Sequence, residues 1–192
     1  MACGAAAVRA AIVDLDAYVL QPILGGDGVT PLADGSWVFI IGSGDSVIDP
    51  MMTYGAPATN YIANSTTGDD VILGVVFIDS SLGPGTFATT VQYDSSLIDY
   101  VYIRFFDTTG PLTGMLYWGT STVFELGVTL GVSTVQFDQN DQLVATNYNN
   151  FVVIPEPSTA NLLLLVGGMI WAMRASMGRK KKANKATEGN ET

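Results

Sequence analysis

Histidine is absent from the sequence, cysteine occurs once, at Cys3, and no lysine occurs between residues 11 and 154. Without histidine the chain lacks the commonest general base and the commonest ligand of transition metals. Nucleophile pairs of the Ser–His and Cys–His types therefore cannot form, and one cysteine cannot close an internal disulfide. The same absences argue against zinc, copper and iron sites.

Carboxylates are the remaining candidates for catalysis, because two Asp or Glu side chains about 5–10 Å apart can hydrolyse a glycoside. Glu125 is, however, the only glutamate between residues 11 and 154, and the aspartates of this region lie mostly beside Gly or Ser. Turn formation already explains aspartate in that context. We therefore expect no catalytic residues and no enzymatic activity.

Basic charge is scarce and confined to the end of the chain. Residues 11–154 carry fifteen acidic side chains and one basic side chain, Arg104, so their net charge is −14. The last nineteen residues carry six Lys or Arg against two Glu. An acidic domain of this kind repels phosphate backbones, which excludes nucleic acid as a partner. It attracts cations such as Ca²⁺ or simply stays soluble, and we favour solubility as the reason.

The N-terminal ten residues are small and apolar, and they read MACGAAAVRA. A small-residue pattern before Ala10 is typical of the end of a secretory signal peptide, with cleavage after that alanine. The apolar part is shorter than a complete signal peptide requires, and no basic leader precedes it. We interpret residues 1–10 as the remnant of a secretory signal peptide.

The C-terminal region combines an extended motif, an apolar stretch and a basic cluster. Pro155, Glu156 and Pro157 precede an apolar stretch over residues 160–173, and the basic residues that follow are Arg174, Arg179, Lys180, Lys181 and Lys182. A helix over about residues 158–177 would reach a marginal membrane-spanning length if Arg174 extends to the interface. We expect a single transmembrane helix with the basic cluster on the cytoplasmic side and residues 11–154 outside.

These three parts, in this order at the chain end, resemble the PEP-CTERM family of sorting signals. Residues 155–182 match the pattern through the Pro-Glu-Pro motif, the hydrophobic helix and the basic cluster, and a polar tail over residues 183–192 follows. The resemblance implies recognition by a membrane-embedded exosortase and cleavage at or near Pro155–Pro157. It also implies transient anchoring in the inner membrane, then delivery to the cell surface or the exopolysaccharide matrix of a Gram-negative-type bacterium.

Residues 11–154 read as an all-β domain. Residues 11–19 are β-like, and short runs rich in Val, Ile, Phe, Tyr and Thr predict strands at 36–41, 71–79, 87–93, 100–106, 115–118, 123–130 and 135–137. Gly-rich and Asp-rich turns separate them. We predict an antiparallel β-sandwich. The runs near residues 40 and 102 are apolar on both faces, so we expect residues 50–70 or a partner chain to cover their outer side.

Two ligand classes remain open for this domain. Asp138, Asn140 and Asp141, and the pair Asp69 and Asp70, offer oxygen donors for Ca²⁺, although solvated turns are the simpler explanation for them. Sugar stacking is the other class, and its candidate aromatic residues are Trp37, Trp118, Tyr54, Tyr61 and Tyr148. A row of two or three exposed aromatic side chains on one sheet would favour sugar binding, whereas burial of all of them would argue against it.

The sequence thus predicts a secreted, exosortase-processed protein of the surface or extracellular matrix, with a structural or adhesive role and no catalysis. The alternative is a carbohydrate-binding β-sandwich that associates with exopolysaccharide.

Overall fold

The computed structural model describes residues 11–54, 60–127 and 131–153. These residues form strands and no helix, which confirms the all-β prediction. The strands are β1 (Ile12–Val19), β2 (Trp37–Ser43), β3 (Asn60–Tyr61), β4 (Val71–Phe77), β5 (Phe87–Asp94), β6 (Tyr100–Phe106), β7 (Gly114–Thr120), β8 (Phe124–Glu125), β9 (Val132–Gln136) and β10 (Asn147–Phe151).

The predicted signal remnant and sorting signal lie outside the described residues. This applies to residues 1–10, to the Pro-Glu-Pro motif, to the apolar segment of residues 158–177, to the basic cluster and to the tail of residues 183–192. Within the three described ranges, no helix has the length and hydrophobicity needed to cross a membrane.

Two sheets form a curled, sandwich-like fold. The small sheet has the order β5-β1-β9. The large sheet has the order β3-β10-β7-β6-β2-β4, and β8 pairs with β6. Strand β1 alternates buried and partly exposed residues, as expected of a strand with one face on a core. Strands β2 and β6 are buried almost throughout and lie next to each other in the large sheet.

The prediction of an antiparallel sandwich is wrong at two pairings. β1 pairs with β9 in parallel, and so does β10 with β3. Parallel partners require a long crossover connection, and these pairs join segments that are far apart in the sequence. The partners of each parallel pair lie far apart in the sequence, so local sequence patterns contain no signal for their parallel direction.

The main core lies between the sheets. Leu15 and Val19 of β1 pack in it with Phe87 of β5 and with Ile103 and Phe105 of β6. All of these side chains are at most 3 % exposed. Burying an aliphatic or aromatic side chain of this size contributes about 1.5–3 kcal/mol, so this core is the main source of stability.

A second core lies on the outer face of the large sheet. Phe39 of β2, with Tyr102 and Phe106 of β6, packs there against Met51 and Ala63 of the connection between β2 and β4. This connection, described over residues 44–54 and 60–70, will be called the covering segment. Its position confirms, for the described residues 50–54 and 60–70, the expected cover on the apolar outer side of β2 and β6.

Strand boundaries follow the sequence closely where strands are rich in β-branched and aromatic residues. The predicted strand at 100–106 is β6 without any change, and those at 71–79 and 87–93 differ from β4 and β5 by one or two residues. The sequence did not predict β10, because asparagine is unfavourable in strands and β10 reads NYNNF. Residues 123–127 of the predicted strand at 123–130 are described, and among them Phe124 and Glu125 form strand β8.

Candidate functional site

Two tyrosines on neighbouring strands of the large sheet form an exposed aromatic pair. Tyr117 of β7 lies directly opposite Tyr148 of β10. Their ring centroids are 4.4 Å apart at an interplanar angle of 33°. The side chains are 40 % and 51 % exposed. A pair of this kind on a sheet is the arrangement that favours sugar binding over a purely structural role.

The exposure of this pair follows from the unequal widths of the two sheets. Gly119 is in register with Phe105, which is fully buried between the sheets. Alternation along β7 puts Tyr117 on that same face, and Tyr148 faces the same way because it is paired with Tyr117. The small sheet has only three strands, and the Gly25–Gly26 loop packs on this face at Tyr117, which leaves both tyrosines partly exposed.

A glycine-rich loop borders the tyrosine pair. A Cβ atom added at Gly26 would lie 2.3 Å from Cγ of Tyr117, so the loop backbone rests directly on one face of this ring. Asp107 holds the loop in place, since its Oδ2 accepts a 2.9 Å hydrogen bond from the Gly26 N–H. The centroid of the Tyr148 ring lies 4.4 Å from that of Tyr117, and Tyr148 is 51 % exposed. Tyr148 is therefore the more open ring of the pair.

A cleft of about 400 Å³ adjoins the pair. It is lined by Tyr117, Asp107 and residues of the loop, namely Gly25, Gly26, Asp27, Thr30 and Pro31. Carboxylate and hydroxyl groups next to an exposed ring are suited to a sugar, because the ring packs on the apolar face of the sugar while the polar groups bind its hydroxyls.

The other aromatic residues proposed from the sequence do not join this site. Trp37 and Trp118 are half-buried, and their indole N–H groups donate to the Gly110 carbonyl and to Asn149 Oδ1. Tyr61 is half-buried against Phe151 in the second core. Tyr54 is exposed but lies on the covering segment. Tyr148 is the one predicted aromatic residue that the structure places in the pair.

Tyr117 was missed by the sequence analysis. The run Gly114–Thr120 places Tyr117 and Trp118 on opposite faces of one strand. That alternation does not indicate which of the two faces is exposed to solvent. The register between β7 and β10 would have been needed to find the pair.

Of the predicted calcium ligands Asp138, Asn140 and Asp141, the first is buried and the other two are exposed. Asp138 is 2 % exposed, and its carboxylate accepts hydrogen bonds from the backbone N–H groups of Leu20 and Gln21. Asn140 and Asp141 are exposed. Asp138 thus fastens β1 to the segment after β9, and its oxygens are already occupied by backbone donors.

A buried polar network connects the large sheet with the covering segment. Arg104 is 1 % exposed, and its Nη1 donates a 2.9 Å hydrogen bond to the Ser65 carbonyl. Its Nη2 lies 3.4 Å from the Tyr102 hydroxyl and 3.5 Å from the Asp49 carbonyl. The Tyr102 hydroxyl donates to Asp70 Oδ2 at 2.6 Å. Burial raises the pKa of the Asp70 carboxyl and lowers that of Arg104.

Three carboxylates of the covering segment converge beside this network. Asp49, Asp69 and Asp70 each place one carboxylate oxygen within 4.8 Å of the other two. Asp49 is half-buried, Asp69 exposed and Asp70 buried. The sequence analysis named Asp69 and Asp70 as oxygen donors but not Asp49, which lies about twenty residues earlier.

Comparison with known proteins gives no match: no family model, no curated protein and no solved structure is significantly similar to this chain.

Proposed function

We propose that this chain is an exported protein of the bacterial surface or extracellular matrix whose β-sandwich binds exopolysaccharide without catalysis. The exposed stack of Tyr117 and Tyr148 is the observation that carries the binding function. An exposed pair of aromatic side chains on one sheet is the feature that favours a carbohydrate-binding sandwich over a purely structural one.

The surroundings of the pair support this proposal. Tyr117 is fixed between the Gly26 backbone and the Tyr148 ring, so little side-chain entropy remains to be lost when a ligand binds. Asp107, whose carboxylate holds Gly26, lines the neighbouring cleft. A rigid aromatic platform beside polar groups is well suited to a long, neutral sugar chain. Polyanionic chains are less favoured, because residues 11–154 carry a net charge of −14.

Export is proposed from the sequence of the chain end. The order of Pro-Glu-Pro motif, apolar stretch and basic cluster supports processing by an exosortase-like enzyme and a transient membrane anchor. A protein released by such processing would meet exopolysaccharide in the matrix. The exosortase and the polysaccharide are therefore its proposed partners.

Affinity electrophoresis of the full-length chain in gels containing the host exopolysaccharide tests the binding site. We expect Tyr148→Ala to weaken retardation at least about tenfold, because loss of one stacking platform costs about 1.4 kcal/mol or more. Tyr54→Ala, which removes an equally exposed tyrosine from the covering segment, should bind like the wild type.

Two outcomes would contradict this site. One is wild-type retardation by Tyr148→Ala, and the other is an equal loss in Tyr54→Ala. Absence of any retardation of the wild-type chain would leave the structural or adhesive role, without sugar recognition, as the better proposal.

A further inference from the structure

We infer that Asp49, Asp69 and Asp70 form a binding site for one calcium ion, which fastens the covering segment to the large sheet. This site is separate from the tyrosine pair and does not depend on sugar binding.

The separation of the three carboxylates suits a single ion. Oxygens bound to one Ca²⁺ lie 2.3–2.6 Å from it, so two of them can be at most about 5.2 Å apart. The carboxylate oxygens of Asp49, Asp69 and Asp70 lie within 4.8 Å of one another. Carboxylates are the ligands that hard cations prefer, and the remaining coordination positions can be filled by water from the exposed side of Asp69.

Asp70 gives an independent reason to place a ligand here. It is 5 % exposed, and its Oδ2 accepts hydrogen bonds from the Tyr102 hydroxyl and the Asp49 N–H. The Ser43 hydroxyl is a further hydrogen-bonding neighbour of this carboxylate, but Oδ1 is buried and has no hydrogen bond of normal geometry from any described residue. A buried carboxylate oxygen without a donor is costly, and a bound cation would satisfy it.

The local charge balance points to a divalent ion. Arg104 is the one basic side chain of residues 11–154. The groups that accept its hydrogen bonds are the neutral oxygens of Ser65, Asp49 and Tyr102. One guanidinium offsets only one of three carboxylates, so two negative charges remain. Mg²⁺ fits less well, because it requires near-ideal octahedral geometry and gives up its water reluctantly.

An entry path exists on the exposed side of the cluster. Asp69 lines a cleft of about 490 Å³ between β4 and the turn after β5, together with Val71, Leu73 and Leu97. The Gly44 N–H and the Asp69 N–H donate to the carboxylates of Asp69 and Asp49, which holds these groups at the mouth of the site. An ion can therefore reach Asp69, the exposed member of the cluster, directly from solvent.

Thermal unfolding of the full-length chain, with and without 10 mM CaCl₂ after treatment with a chelator, tests the inference. At the affinities common for extracellular calcium modules, we expect Ca²⁺ to raise the Tm by about 4–8 °C. Asp69→Asn should abolish most of this rise and is expected to fold, because Asp69 is exposed. Asp141→Asn removes the same charge from an exposed turn and should keep the full rise.

Terbium, which replaces calcium and emits when excited through a nearby phenol ring, gives a second measurement. Because the Tyr102 hydroxyl contacts Asp70, we expect terbium emission that saturates, is displaced by Ca²⁺ and is lost in Asp49→Asn. An unchanged wild-type Tm in CaCl₂, an equal rise in MgCl₂, or a calcium effect that survives Asp69→Asn but not Asp141→Asn would each overturn the inference.

Discussion

Arg104 shows how a single side chain determines the architecture around it. It is 1 % exposed, and its shortest hydrogen bond, at 2.9 Å, reaches the Ser65 carbonyl on the covering segment. Its Nε atom is buried without an acceptor among the described residues. A charge buried in this way is costly unless a neighbouring carboxylate offsets it, and Asp70, which accepts a hydrogen bond from the Tyr102 hydroxyl beside Arg104, is the carboxylate that does so. The one basic residue of an acidic domain thus lies where acidic residues converge.

Asp138 is the second residue whose burial defines its role. Asp138→Ala would leave the N–H groups of Leu20 and Gln21 without their acceptor. Hydrogen bonds to a charged acceptor contribute about 1.5–3 kcal/mol, so we expect the free energy of unfolding to fall by about that amount. Denaturant unfolding measures this, with the exposed Asp141→Ala as control at no more than about 0.5 kcal/mol. Equal effects of the two substitutions would mean that Asp138 is not a structural acceptor.

Asp27 gives the loop beside Tyr117 a defined pH dependence. The Thr30 hydroxyl and the N–H groups of Val29 and Thr30 donate to its carboxylate and lower the pKa from 3.8 to about 2. A lowered pKa in the folded state means that the ionised form stabilises the loop. This contribution is complete above pH 3.8 and is lost as the pH falls through about 2.

An NMR titration of the Asp27 carboxyl carbon measures this effect. We expect Thr30→Val to raise the pKa of Asp27 towards 3.8, because the largest contribution comes from the Thr30 hydroxyl. Thr30→Ser keeps a hydroxyl and should keep the low pKa. An unchanged pKa in Thr30→Val would assign the shift to the backbone donors instead.

At the scale of the element, neighbouring groups pack so closely against Gly119 of β7 that a side chain does not fit there. An added Cβ there would lie 2.7 Å from the Phe105 ring and 2.7 Å from the Val144 carbonyl, which belongs to the backbone and cannot rotate away. We therefore expect Gly119→Ala to lower the free energy of unfolding by about 1–3 kcal/mol.

Gly110→Ala is the matched control for β7, because its added methyl group would meet only an ordinary contact at 3.6 Å. Its stability should stay within about 0.5 kcal/mol of the wild type in the same denaturant titration. Wild-type stability of Gly119→Ala would show that β7 is packed less closely than the structure indicates.

At the scale of the whole molecule, the proposed sorting signal makes the C-terminal region the place where release from the membrane is decided. Prolines on both sides of Glu156 disfavour helix there, so the motif is expected to present an extended peptide to a processing enzyme. We expect Glu156→Ala to leave folding and export intact while the uncleaved, membrane-bound form accumulates. Mass spectrometry of the mature C-terminus, in a host with an active exosortase, measures the cleavage.

Substitution of Lys180, Lys181 and Lys182 is the comparison for this test. It should weaken the orientation of the segment in the membrane and affect cleavage only indirectly. A mature wild-type protein that still ends at Thr192 would show that the segment is a permanent anchor rather than a sorting signal.

The sequence by itself determined the all-β class, the positions of the β-branched and aromatic strands and the segregation of charge, because these depend on neighbouring residues. Apolar residues on both faces of β2 and β6 predicted that either residues 50–70 or a partner chain would cover them, and the structure shows described residues of that segment in this place. Only the tertiary structure decided that Tyr117 faces an open part of the sheet beside Tyr148 and that Asp49 meets Asp69 and Asp70. Strand order, register and the unequal widths of the two sheets join segments distant in sequence, and no local pattern encodes those contacts.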